Sequence, residues 1–162
     1  MTRYILDANI FIQAKNLHYG FDFCPAFWEW LDRANETDVA ASVEKVADEL
    51  EVADDDLAAW VKVRRDRFFL SPDVDVASAL DRVADWASSS GYESSAVTIF
   101  LQVADYWLIA HALAHNCVVV THEVPADTVK KIKIPNACLA LGLTCLTPYE
   151  MLRRERARFV LA

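Results

Sequence analysis

Short continuous apolar runs alternate along this chain with longer stretches in which apolar residues recur every three or four positions. The first run, Tyr4-Ile5-Leu6, predicts a buried strand near residues 4–8. Residues 9–16 read as a short helix or turn, and residues 20–25 as an aromatic loop. Pro25 can open a helix that carries Phe27, Trp28 and Leu31. Val39-Ala40-Ala41 predicts a second strand. Ser42 then reads as the N-cap of a helix with Val43, Val46, Ala47 and Leu50 on one face. Residues 55–66 predict another helix, and Phe68-Phe69-Leu70 a third strand closed by Ser71-Pro72. Val76, Leu80, Val83 and Ala87 mark a helix that stops before the serines at 88–90. Residues 94–103 and 105–115 read as two further helices. Val118-Val119-Val120, β-branched throughout, is the clearest strand and extends to 121. A lysine-bearing loop follows, then a short helix near 136–141, a strand at 143–146 and a last helix after Pro148.

Strands alternating with helices predict an α/β fold with a mainly parallel sheet. Strands buried on both faces should read as unbroken apolar runs, and these do. The expectation is one three-layer α/β/α domain over residues 1–162. Its five parallel strands have the first at the centre, beside the strand at 118–121. The 162 residues suit a single domain with a real core. The three glycines, Gly20, Gly91 and Gly142, exclude a P-loop and a dinucleotide-binding fingerprint, which need glycines at fixed spacing. No apolar run approaches the roughly 20 residues that span a bilayer. Asp7 interrupts the only early apolar stretch, so no secretory signal is expected, and the cytoplasm is the expected compartment. The four cysteines form no C-x-x-C pair, which removes a zinc ribbon and a thioredoxin-type motif. A net charge of −8 argues against broad electrostatic wrapping of nucleic acid, though not against an enzyme that meets phosphate through bound cations.

Candidate chemistry begins with Asp7. It stands where the first strand should finish, and open parallel sheets bind ligands at the carboxyl ends of their strands. Asp105 opens a helix whose apolar positions Leu108, Ile109 and Ala112 follow at i+3, i+4 and i+7, so it shares the buried face. Alone it would read as an acid favoured by the helix dipole. Glu123 lies just past the strand ending at Thr121 and alone would be an exposed loop residue. Three acids at equivalent topological positions favour a functional reading. A fourth should come from the helix after Ser42. Glu44, Asp48, Glu49 and Glu51 are available there, and helical phase does not choose among them: Glu44 and Glu49 flank the apolar face, while Asp48 points away.

Four segments carry a resemblance: Leu6-Asp7-Ala8-Asn9-Ile10-Phe11, Glu49-Leu50, Ala104-Asp105-Tyr106-Trp107-Leu108-Ile109-Ala110 and, following it, Val119-Val120-Thr121-His122-Glu123. In these the chain resembles PIN-domain ribonucleases, the fold of many toxins in bacterial and archaeal toxin–antitoxin pairs. The resemblance covers most of the chain. It implies four metal-binding catalytic acids, Asp7, Glu49, Asp105 and Glu123, with Asn9 and Thr121 as supporting polar residues. It also implies an RNA substrate, a protein antitoxin and a homodimer. The final acid departs from the family's usual Asp, and the aromatic segment at 21–30 and the lysine loop are longer than in a minimal toxin.

Charge physics agrees with the cation expectation. Two carboxylates about 5 Å apart repel by roughly 3 kcal/mol at an effective dielectric near 20, so four need counter-charge. Hard oxygen ligands favour Mg2+ or Mn2+, as one ion or two. The reaction implied is in-line attack of water on an RNA phosphate. Lys130, Lys131 and Lys133 are either a solvated loop or a phosphate-steering patch. The arginines at 153, 154, 156 and 158 read as a surface helix, and the five tryptophans mainly as core, with Trp28 or Trp30 available to a partner surface. His111 and His115 lack the intervening Glu of a zincin helix and read as exposed or half-buried polar residues. The competing functions are a non-catalytic PIN-like module that binds protein or RNA, and a DNA-directed nuclease built on the same acids.

Overall fold

The computed structural model describes residues 2–161. Five short strands form one parallel sheet in the order β3-β2-β1-β4-β5: β1 at Tyr4–Leu6, β2 at Ala40–Val43, β3 at Phe69–Leu70, β4 at Val118–Val120 and β5 at Cys145–Leu146. β1 is central. Its register sets Leu6 opposite Val120 on one side and Ile5 opposite Ala41 on the other. The chain winds outward from β1 to β3, then returns to β4 and winds out the other way to β5. Right-handed crossovers then place the connecting helices of the two halves on opposite faces, giving three layers. The reversal of strand order falls between β1 and β4. At such a switch point the connections diverge and leave a crevice above the strand ends.

The helices are α1 at Ala8–Gln13, α2 at Pro25–Glu36, α3 at Glu44–Glu51, α4 at Asp56–Phe68, α5 at Val74–Ser89, α6 at Ser94–Phe100, α7 at Ala104–His115, α8 at Ile134–Leu141 and α9 at Pro148–Arg154. A π-helical stretch, Ala14–His18, continues α1. On one face, Phe11 meets Trp60, Phe68 and Phe69 at ring separations of 5.9, 5.9 and 5.8 Å. On the other, α7 lies buried along the central strands through Leu108, Ile109 and Ala112. Trp28 and Trp60 are core residues, so Trp28 offers nothing to a partner surface. Among the described residues no single helix is long and apolar enough to cross a membrane. α6 and α7 pass that test only jointly, and a 72° bend separates them.

Several boundaries differ from the sequence reading, each for a local reason. Ser42 is not an N-cap: it lies inside β2, pairs with Phe69 of β3, and its hydroxyl donates to the Leu6 carbonyl at 2.6 Å. Val43 takes the cap position, without a side-chain cap. α5 runs through Ser88 and Ser89, because Ser89 turns its hydroxyl back to the Asp85 carbonyl at 2.6 Å and offers the helix no competing cap. The helix expected to reach residue 103 stops at Phe100. Val103 is extended there (φ −111°, ψ 165°), so that α7 can start in a new direction. β5 covers only two residues, since Gly142 at φ +73° ends α8 and the Leu143 amide returns to the Cys138 carbonyl at 2.8 Å. The last helix ends at Arg154, leaving Arg156 (φ +54°) and Arg158 beyond it. His111 is buried, contrary to the exposed or half-buried reading, because it lies on the packed side of α7.

Candidate active site

Asp7 follows β1 directly. Its amide still pairs with the Val120 carbonyl at 3.0 Å, and its carbonyl accepts from the Ile10 amide at 3.1 Å to start α1. The sheet and the helix together hold this residue at the switch point. The side chain is only 3% exposed. Its Oδ2 accepts a hydrogen bond from the Thr121 hydroxyl at 2.8 Å. Ser42 braces the same corner from the other neighbouring strand through its bond to Leu6.

Thr121, just past β4, is also buried, and its amide donates to the Leu146 carbonyl at 3.0 Å. Its hydroxyl donates to Asp7 and accepts from the Glu123 amide at 3.0 Å. One hydroxyl thus joins the first acid to the backbone of the third. Glu123 turns its Oε2 onto the Ile134 amide at 2.8 Å, in the first turn of α8. Glu49 does the equivalent at α7: its Oε1 accepts from the Ala104 amide at 3.1 Å, one residue before Asp105. Both glutamates therefore satisfy otherwise orphaned amides at helix N-termini, and each keeps a second carboxylate oxygen.

The other acids of α3 are engaged elsewhere. Glu44 accepts from the Ser71 hydroxyl at 2.9 Å, Glu51 pairs with Arg65 at 2.9 Å, and Asp48 pairs with the same arginine. Of the four acids left open by helical phase, Glu49 is the one whose carboxylate reaches the Asp105 helix. Asn9 is half-buried in the first turn of α1.

Electrostatics tie the acids together. Burial pushes Asp7 up to about 6. Its bond to Thr121 opposes that shift, and the negative charges of Glu123 and Glu49 add to it. Asp105 is pushed up to about 7, first by burial, then by Asp7, Glu123 and Glu49, with Lys131 pulling the other way. A site that strains to keep its acids ionised is short of positive charge. Among the described residues, no three His, Cys, Asp or Glu side chains converge closely enough to hold an ion as they stand. Glu49 and Glu123 each commit one carboxylate oxygen to a helix amide. The donor set nevertheless fits a hard divalent cation: all the acids offer oxygen, and Asp7 and Asp105 ionise reluctantly without counter-charge.

Lys130 and Lys131 are exposed and border a cavity of about 170 Å3 that also touches Asp105. Lys133 is half-buried at the N-cap of α8. His115 pairs with Asp73 at 2.8 Å, beside His111 and apart from the acids. One group escaped sequence reasoning. His18, His122 and Tyr149 meet at ring separations of 5.4 to 5.8 Å, with the Tyr149 hydroxyl 3.1 Å from His18 Nε2. The three come from distant parts of the chain, and no spacing signals their meeting.

Comparison with known proteins places this architecture. No curated protein matches the chain. Among solved structures, it is similar to VapBC2 from Rickettsia felis bound to a DNA fragment from their promoter, with a TM-score of 0.57 and 15% identity over 90% of this chain and 98% of that one. It is similar also to FitAcB from Neisseria gonorrhoeae, with a TM-score of 0.54 and 18% identity over 90% and 98% of the two chains. At these identities the likeness concerns the fold, which is the PIN-like α/β fold that the sequence resemblance implied. A family model described as "Domain of unknown function (DUF4411)" matches residues 4–159, and the chain belongs to that family.

Proposed function

We propose that this protein is a metal-dependent endoribonuclease, the toxin of a toxin–antitoxin pair. One observation carries the reading: Asp7 and Asp105 are both buried acids raised in pKa at the switch point, the charge of Asp7 adding to the shift of Asp105 and the charges of Glu49 and Glu123 acting on both. Both structural neighbours are PIN-domain toxin–antitoxin complexes, which supports the same class. The proposed metal ligands and catalytic acids are Asp7, Glu49, Asp105 and Glu123, with Mg2+ or Mn2+ as the ion. Asn9 and Thr121 support them. A homodimer, an antitoxin partner and a cytoplasmic location complete the proposal.

When bound, a divalent cation in such a site lowers the pKa of water and offsets charge on the leaving oxygen. The chain's own residues do the rest. Asp7, fixed by Thr121 and by two strands, is a rigid acceptor for the attacking water's proton. Asp105, at the first turn of α7 and electrostatically coupled to Asp7, would help hold the ion at the same crevice. Glu49 and Glu123 lock the first turns of α7 and α8, which sets where Asp105 and the lysine loop stand. Lys130, Lys131 and Lys133 supply the local positive charge that an anionic strand needs to approach four acids.

The test is digestion of single-stranded RNA, single-stranded DNA and flap DNA side by side, with Mn2+ and with chelator. RNA cleavage that requires the metal, and that Asp7→Asn abolishes while the melting temperature is retained, is the expected result. Cleavage by the Asp7→Asn protein at the normal rate would sink the assignment. Cleavage of DNA alone would redirect it to a DNA nuclease. No cleavage, together with no manganese shift of the melting temperature, would leave a binding module.

A further inference from the structure

The cavity beside Asp105 is not needed to explain the acids. Ile99 at the end of α6, Val103 at the bend, and Ile132 give it apolar walls. Lys130 and Lys131 stand on its border, and Asp105 at its inner side. The loop that carries the lysines is tied to the start of α6, where the Glu93 amide donates to the Val129 carbonyl at 2.9 Å. Ile99 is 61% exposed, so this apolar surface is left open to solvent beside Asp105.

An apolar slot with a cationic border, beside a phosphate-cutting site, matches the two faces of a nucleotide: an apolar ring and an anionic backbone. Single-stranded RNA is read by splaying bases into such pockets. Size narrows the choice. An apolar cavity of ~150 Å3 takes one benzene-sized ring. At about 170 Å3, this open slot matches one six-membered ring more closely than a fused two-ring base.

We propose that this cavity is a base subsite that takes one pyrimidine of single-stranded RNA, adjacent to the phosphate at the acid cluster, with Lys130 and Lys131 on the neighbouring backbone phosphate. The subsite rests on the ribonuclease reading above, and two measurements separate the fates of the two. In the first, the full chain with labelled isoleucine methyl groups is titrated with uridine, cytidine and adenosine 5′-monophosphates. Ile99 and Ile132 methyl signals should move and saturate, with uridine and cytidine nucleotides bound at least threefold tighter than adenosine. Ile99→Trp, at an exposed position, should fill the slot and remove the response without lowering the melting temperature. Equal affinity for all three nucleotides, or no movement of these two methyl groups, would overturn the subsite. In the second, a random-sequence RNA pool is digested and its ends are sequenced. A pyrimidine enriched at one fixed position beside the cut, and lost in Ile99→Trp, supports the subsite. Cleavage with no such bias counts against the subsite alone. Selective pyrimidine binding without any cleavage supports it and counts against the ribonuclease reading.

Discussion

Asp7 and Asp105 are costly residues in the absence of a cation. Both have folded pKa values raised above the ordinary 3.8, to about 6 and about 7. Well below pH 3.8 they are neutral in folded and unfolded chains alike and cost nothing. As pH rises from 4 to 7, the unfolded chain loses these protons first while the folded site retains them, so stability falls across that window. With each unit equivalent to about 1.4 kcal/mol, Asp105→Asn should stabilise the protein in chelator at pH 8 by about 2–4 kcal/mol. That advantage should vanish near pH 4, and Mn2+ should shrink or reverse it by stabilising only the wild type. Thermal melts across pH with and without Mn2+ read all three effects. A wild type as stable as the variant at pH 8 in chelator would show that the acids are not strained. Thr121 is the next test at this scale. Its hydroxyl serves Asp7 and the Glu123 amide together, and losing an outer partner of a metal ligand typically costs 10–100-fold in activity. Thr121→Val should lower the cleavage rate by that factor with little change in substrate binding.

At the scale of elements, two helix starts and one strand end hold the site. α7 and α8 begin under the carboxylates of Glu49 and Glu123, and β1 ends under the hydroxyl of Ser42. Ser42→Ala removes a buried donor and leaves the Leu6 carbonyl short of a partner. The expected cost is about 1–2 kcal/mol in denaturant unfolding, with the midpoint shifted and the slope unchanged. Short, mainly apolar runs located all five strands, because strands buried on both faces carry few polar positions. Ends were less legible. Ser42 has the chemistry of an N-cap, and only its pairing with Phe69 makes it a strand residue. The helix ends at Phe100 and Val103 are set by the bend into α7, which packs on strands far away in sequence. Helical phase put Asp105 on the buried face, and its coincidence with Asp7 and Glu123 made it a candidate. Helical phase did not choose Glu49, which came from the resemblance alone; in the fold Ser71 and Arg65 engage Glu44, Asp48 and Glu51 instead.

For the whole molecule, a net charge of −8 sets the terms on which a polyanion can bind. The lysine loop offers exposed positive charge beside Asp105 through Lys130 and Lys131. RNA binding in Ca2+ should therefore depend weakly on salt, with a log–log slope of about −1 to −2. Lys131→Ala should reduce that slope by about 0.7, the single-strand value for one phosphate contact. A slope steeper than about −4 in fluorescence anisotropy would mean that RNA spreads over a wider surface. The sequence by itself determined the class of fold and singled out Asp7, Asp105 and Glu123 as candidate acids, with Glu49 added by the resemblance. Strand and helix periods are local properties, and a carboxylate at a strand's end is conspicuous in one dimension. Tertiary structure alone decided which α3 acid reaches the site and that Thr121 links Asp7 to Glu123. It also decided that His18, His122 and Tyr149 meet, and that an open apolar slot lies between Ile99 and the lysines. Each of these depends on distances between residues remote in the chain, which are set by how the helices pack on the sheet rather than by any spacing along it.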